Sequence, residues 1–181
     1  MLSRTTIKNN NANSDITTKI NTYTNNTIKS MDFKLTYLKP ISKEKITITT
    51  DTVVAVEDVE DLPFILLNEH ILKNINKGQE YLMIMYDINA NGGIYIHIII
   101  HYNKSKLRGI SKIKYIPPSP PEDTGAHKYI CELVEFKQKD DLELYYSSLS
   151  LKRIIDNFTT LLDKLNAKEL NIKKSMIINI L

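Results

Sequence analysis

Three near-continuous apolar runs restrict what this chain can fold into. Tyr81–Tyr86 reads YLMIMY, Ile94–Tyr102 reads IYIHIIIHY and Tyr129–Phe136 reads YICELVEF. Each is too short for a buried helix and rich in β-branched and aromatic residues, so each reads as a strand buried on both faces. Shorter stretches around them alternate apolar and polar residues, as in Phe33–Tyr37 and Lys45–Thr49. Thr52–Glu57 is a β-branched run, the acidic Glu57–Asp61 precedes a turn at Leu62-Pro63 into a strand at Phe64-Ile65, and Asn76–Gln79 reads as a turn. Many strands punctuated by turn signals specify a mainly β architecture, a sandwich or barrel.

One helical pattern interrupts the strands. Leu151, Ile154, Ile155, Phe158, Leu161, Leu162 and Leu165 recur at helical spacing, with Ser148 or Ser150 as the N-cap. Ser175–Leu181 reads as a short closing strand. The length of 181 residues suits one domain, here 31–181, preceded by an Asn/Thr-rich arm at 1–30 that is expected to be disordered. That arm has one Arg and no apolar stripe, which argues against a transit peptide. The glycosylation acceptor patterns at Asn25 and Asn157 are expected to be chance.

Hydrophobic residues make up 42% of the chain, and no apolar stretch reaches the ~18 residues that a bilayer-spanning helix needs. The expectation is a soluble, cytoplasmic protein. Cys131 is the single cysteine and lies in an apolar run, which fits a packing role in a reducing compartment. A net charge of +3 is too small to argue for nucleic acid, and none is expected as a partner. Ile, Lys and Asn together form about a third of the chain, a bias towards AT-rich codons of the kind found in large DNA viruses and some protists.

The most distinctive segment is Tyr115–Phe136, YIPPSPPEDTGAHKYICELVEF. Prolines and a glycine fix the backbone direction while His127 and Tyr129 supply polar tips at the mouth of a strand, which is how a small polar pocket is built. The run Ser119-Pro120-Pro121-Glu122-Asp123-Thr124-Gly125-Ala126-His127-Lys128-Tyr129 resembles the signature loop of the phosphatidylethanolamine-binding protein family, also called the Raf-kinase inhibitor family. Pro-Pro, Thr-Gly, His and Tyr fall in register with that family's pattern. Asn76–Asn91 is similar to the strand entering the family's acidic turn, and Leu151–Leu165 to its late helix.

The resemblance implies a β-sandwich in which a large antiparallel sheet packs on a smaller one, with a late amphipathic helix. It also implies a pocket for an anionic, phosphate-bearing group, formed by Asp87, His97, Ser119, Pro120, His127 and Tyr129. Protonated imidazoles would supply donors and charge, Asp87 would orient one of them, and Tyr129 would add a hydroxyl donor. Asn89 replaces the turn's second acid and both turn prolines are lost. The following loop, Gly92–Tyr95, is shorter than the family's, so a more open cleft is expected. His70 and His101 match no family site, and Glu122 with Asp123 would weaken anion binding.

There is no nucleophile elbow, phosphate-binding Gly-Lys loop, metal-spaced His/Cys cluster or dinucleotide fingerprint, so no catalysis, cofactor or metal is expected. The expected function is a non-enzymatic binding module for a phospholipid headgroup or phosphopeptide, regulating a kinase or protease partner. The alternative is a scaffold with a degenerate pocket that works through protein contacts, for example on a basic C-terminal face of Lys152, Arg153, Lys164, Lys168, Lys173 and Lys174.

Overall fold

The computed structural model describes residues 31–138 and 142–179; the stretch 1–30 lies outside them. The first six elements are β1 (Phe33–Leu38), β2 (Lys45–Ile48), β3 (Thr52–Val54), β4 (Phe64–Leu67), α1 (Glu69–Asn76) and β5 (Glu80–Asp87). There follow β6 (Ile94–Asn103), β7 (Lys106–Ile113), β8 (His127–Phe136), α2 (Leu142–Lys152), β9 (Ile154–Ile155), α3 (Phe158–Leu165) and β10 (Ala167–Ile178). A short 3-10 turn occupies Val56–Val59.

Two sheets result. The small one has the order β2-β1-β4 and the large one β3-β10-β8-β5-β6-β7, with β9 paired to the start of β6. All pairings are antiparallel except that of β3, which joins β10 in parallel at the sheet edge. The three apolar runs become β5, β6 and β8, adjacent at the centre of the large sheet. They are buried on both faces because each face has its own cover. Over one face lie α2 and α3, with Leu149, Leu161 and Leu165 packed on Leu82, Ile84, Val134 and Phe136. Over the other lies the small sheet, where the Tyr37 hydroxyl donates to Met85 Sδ at 3.7 Å. Each fully buried Leu or Ile contributes about 1.5–3 kcal/mol.

The long helical pattern is not one helix. Arg153 adopts φ 57°, which ends α2, and Ile154-Ile155 then pairs with Tyr95 and Ile94 before α3 begins. A polypeptide cannot turn left-handed inside an α-helix and continue it. The caps follow: Asn157, rather than Ser148 or Ser150, receives the Thr160 N–H at 2.8 Å, and Asn166 closes α3 at φ 53°. The close approach of β9 also explains Gly93, because a Cβ there would sit 2.5 Å from the Ile155 carbonyl oxygen.

Three further elements differ from expectation. α1 was not read from the sequence: Asn68 caps it by accepting from Ile71 N–H, and just Ile71 and Ile75 are buried, too few for a helical stripe. β7 is the exposed edge strand, and Lys106, Arg108 and Lys112 hide its alternation while protecting the edge from mispairing. β10 is twelve residues long and lies inside the sheet; an irregularity between Glu169 and Ile172, with Asn171 at φ 57°, breaks its period. The expected basic C-terminal face loses one member and has others in ion pairs. Arg153 is buried, Lys173 pairs with Glu132 and Glu169, and Lys174 pairs with Asp32.

Glu132 is fully buried on the helix-covered face. Its Oε2 accepts from the Tyr86 hydroxyl at 2.8 Å and lies 3.3 Å from Lys173 Nζ, while Oε1 has no partner among the described residues. Burial raises its carboxyl pKa, and Tyr86 and Lys173 offset only part of that. An acid raised in the folded state stabilises fully below the unfolded value, near ~4.3, and loses that contribution as pH rises through the folded value. Glu132→Gln is therefore expected to gain on the wild type as pH rises from 5 to 8, read by urea denaturation (~3 pH units of scan). A gap between the two proteins that stays constant with pH would refute the buried-acid assignment.

Candidate functional site

One end of the large sheet holds an open cleft of about 350 Å³. Asp87, His97, Ser119, Pro120, His127 and Tyr129 all line it, together with Tyr95, Ile116, Pro117, Pro121 and Ile154. Strand register places the side chains. Tyr95, Asp87 and Tyr129 lie side by side across β6, β5 and β8. His97 reaches the same face through a β-bulge: the pairing steps from Met85 with Ile98 to Tyr86 with Ile96, leaving His97 as the extra residue of β6. A bulge of this kind re-aims a side chain without ending the ladder.

Asp87 organises the acidic turn. Its Oδ1 accepts the Asn89 N–H at 2.7 Å, while Asn89 Oδ1 accepts the Lys128 N–H at 2.9 Å and fastens the turn to β8. The other oxygen, Oδ2, lies 2.7 Å from His127 Nδ1. On the far side of the ring, Nε2 lies 2.9 Å from Thr124 Oγ1, which in turn donates to the Pro121 carbonyl at 2.6 Å. A carbonyl only accepts, so the single Thr124 proton is committed to Pro121. Thr124 then accepts from His127 Nε2–H and Asp87 accepts from Nδ1–H, a pattern complete when the ring carries both protons. Asp87 is 4% exposed and His127 2%, so the two form a buried, hydrogen-bonded pair.

His97 is held differently. Its Nδ1 lies 2.7 Å from the Ile116 carbonyl oxygen, and Ile116 N–H donates back to the His97 carbonyl at 3.0 Å. Its ring packs edge-on against Tyr129 at 5.2 Å and tilts against Tyr95 at 4.9 Å. Burial lowers the His97 pKa; the Ile116 hydrogen bond and Asp87 oppose this, and the Arg153 guanidinium adds to it. Tyr129 is pushed up, first by burial and then by Asp87, so its hydroxyl keeps its proton and donates it to Asp87.

Two contributors escaped the sequence. Thr124 belonged to the signature loop but was not singled out, although its spacing of three from His127 is what a turn needs to bring hydroxyl and ring together. Arg153 was placed on an exposed face. It is 7% exposed and lies behind the cleft, donating to Ile96 O at 3.1 Å, His97 O at 3.2 Å and Lys114 O at 3.0 Å. Among the described residues no carboxylate lies within ion-pair distance of it, so its charge is balanced by carbonyl dipoles alone. No sequence signal marks this, except that Arg153 sits where the apolar helical pattern has to break. Glu122 and Asp123 are exposed in the loop. No helix among the described residues is long and apolar enough to cross a membrane.

No protein-family model matches the chain, and no curated protein does. Solved structures do. Carboxypeptidase Y inhibitor, determined in complex with its cognate proteinase, superposes with a TM-score of 0.57 over 93% of this chain and 95% of that one, at 12% identity. The phosphatidylethanolamine-binding protein of Plasmodium vivax gives 0.52 over 83% of this chain and 88% of its own, at 12% identity. That of Plasmodium falciparum gives 0.52 over 83% and 87%, at 14% identity. At such identities the likeness shows the fold: this chain has the phosphatidylethanolamine-binding-protein fold, with a late helix, α3, preceding its last strand.

Proposed function

We propose that the chain is a non-enzymatic binding protein for a phosphate-bearing anion, and that occupancy of the cleft governs docking to a protein partner. One observation carries this. The cleft gathers His97, His127, Tyr129 and Ser119 in front of a buried guanidinium that no carboxylate among the described residues neutralises. An uncompensated buried cation creates a potential that favours an anion in the adjoining space. The phosphate could belong to a phospholipid headgroup or a phosphopeptide. The partner of the fold neighbour is a proteinase, which supports a protease partner here, with a kinase as the other class considered.

The series Asp87–His127–Thr124 has the outline of an acid–base–nucleophile relay. It is read as a strut because the Thr124 proton is held by Pro121 and the ring has no free nitrogen to accept it. The test is a backbone NMR titration of the wild type and His127→Gln with inorganic phosphate. Shifts confined to Asp87, His97 and the loop from Ser119 to Tyr129, weakened in the variant, are expected, because without the imidazole ring the Asp87 carboxylate is left unscreened beside the cleft. Silence at millimolar phosphate would leave the fold as a scaffold without a working pocket.

A further inference from the structure

The donor and acceptor pattern of the cleft carries a specificity beyond its charge. The Ile116 carbonyl can only accept, so His97 Nδ1 bears a proton, and the 2.7 Å contact fixes the ring against a flip. Nε2 is the nitrogen left for the cleft, and it has no hydrogen-bond partner among the described residues, although His97 is only 4% exposed. The groups around the ring do not supply a donor. On β5, both Asp87 oxygens are committed, to Asn89 and His127. On β8, His127 is spent on Asp87 and Thr124, and Tyr129 meets His97 ring to ring while its hydroxyl bonds Asp87. On β6 itself Tyr95 contacts the ring, and behind it Arg153 binds main-chain carbonyls. Burial and Arg153 both disfavour the charged ring, so at neutral pH Nε2 presents a lone pair.

An anion whose oxygens are all bare meets that lone pair badly. Ser119 offers a hydroxyl donor to charged oxygens, but the position at Nε2 requires a donor from the ligand. We propose that the cleft selects an oxyanion carrying its own proton, a phosphate monoester or free phosphate rather than sulfate or a phosphodiester, through the Nε2 lone pair of His97. This rests on the reading of the cleft as an anion site. It deepens that reading by naming the ligand chemistry: a P–OH facing His97 and charged oxygens facing Ser119. The diester of a phospholipid headgroup has no such proton, so the two phosphate sources are separable.

The experiment titrates the full chain at pH 7.5 with four probes: inorganic phosphate, methyl phosphate, dimethyl phosphate and sulfate. Inorganic phosphate keeps a P–OH at this pH, sulfate controls for a doubly charged anion and dimethyl phosphate for a singly charged one. Phosphate is expected to bind about tenfold or more tightly than sulfate or dimethyl phosphate, the size of one unsatisfied buried acceptor. Methyl phosphate should approach phosphate at pH 5.5 and weaken as pH rises past its second ionisation near ~6. Sulfate should gain as pH falls, because it binds well only once His97 takes up a proton. His97→Asn keeps an amide donor for the Ile116 carbonyl, and its amide oxygen takes the place of the ring Cδ2, which leaves no acceptor at the Nε2 position; it should lower phosphate to the level of sulfate with an unchanged melting temperature. Should Asn fail to fold, the wild-type comparison decides alone. Equal affinity for phosphate and sulfate, or tighter dimethyl phosphate, overturns the selection and leaves the anion cleft standing. Silence with all four overturns the cleft reading as well.

Discussion

Asp87→Ala is expected to lower the unfolding free energy by about 3–5 kcal/mol, because it leaves the buried His127 ring without its carboxylate partner. The same change removes the acceptor for Asn89 N–H and loosens the turn that Asn89 fastens to β8. Asp87→Asn separates these effects. Its amide oxygen can still accept from Asn89 or from His127, so the loss should fall to about 1–2 kcal/mol, near that of a single buried hydrogen bond. Urea denaturation of both variants checks this. If Asp87→Ala costs no more than the roughly 1 kcal/mol of a surface ion pair, the pair is not the strut described above.

The second large effect is expected at Arg153. Arg153→Met keeps an unbranched side chain and a non-glycine residue at φ 57°, so backbone strain is unchanged and the guanidinium alone is removed. The carbonyls of Ile96, His97 and Lys114 then lose their donor. At about 1–3 kcal/mol for each unsatisfied buried group, and with incomplete additivity, a total near 3–5 kcal/mol is expected. Arg153→Lys should be intermediate, since an ammonium restores the charge but cannot fork to three acceptors in one plane. Phosphate affinity should follow the charge, retained in part by Lys and lost in Met; equal affinity in all three would detach Arg153 from the anion site. The order of stabilities, Arg above Lys above Met, is read by thermal melting.

The central sheet was legible because its strands are extreme. β5, β6 and β8 are apolar on both faces, and no helix of such length would be. What the sequence concealed was set by single residues in left-handed conformations, which carry no hydropathy signal. Arg153 ends α2 inside an apparently continuous helical pattern, and Asn171 displaces the period of β10. The candidate site divides in the same way. Residues tied to the signature loop or to a strand end, Asp87, His127 and Tyr129, could be named from local pattern. Thr124 and Arg153 act through hydrogen bonds to main-chain and ring atoms that only the folded geometry brings together.

The extra residue in β6 separates the fate of the fold from that of the site. Removing one codon at His97 would leave Ile96 and Ile98 facing Tyr86 and Met85 in an uninterrupted ladder, with every neighbouring side chain still on its own side. The sheet would become more regular while the cleft lost its acceptor. A lineage could therefore abandon ligand recognition through one shortening event and keep the scaffold for contacts elsewhere, a step that most sites, embedded in regular strands, do not offer.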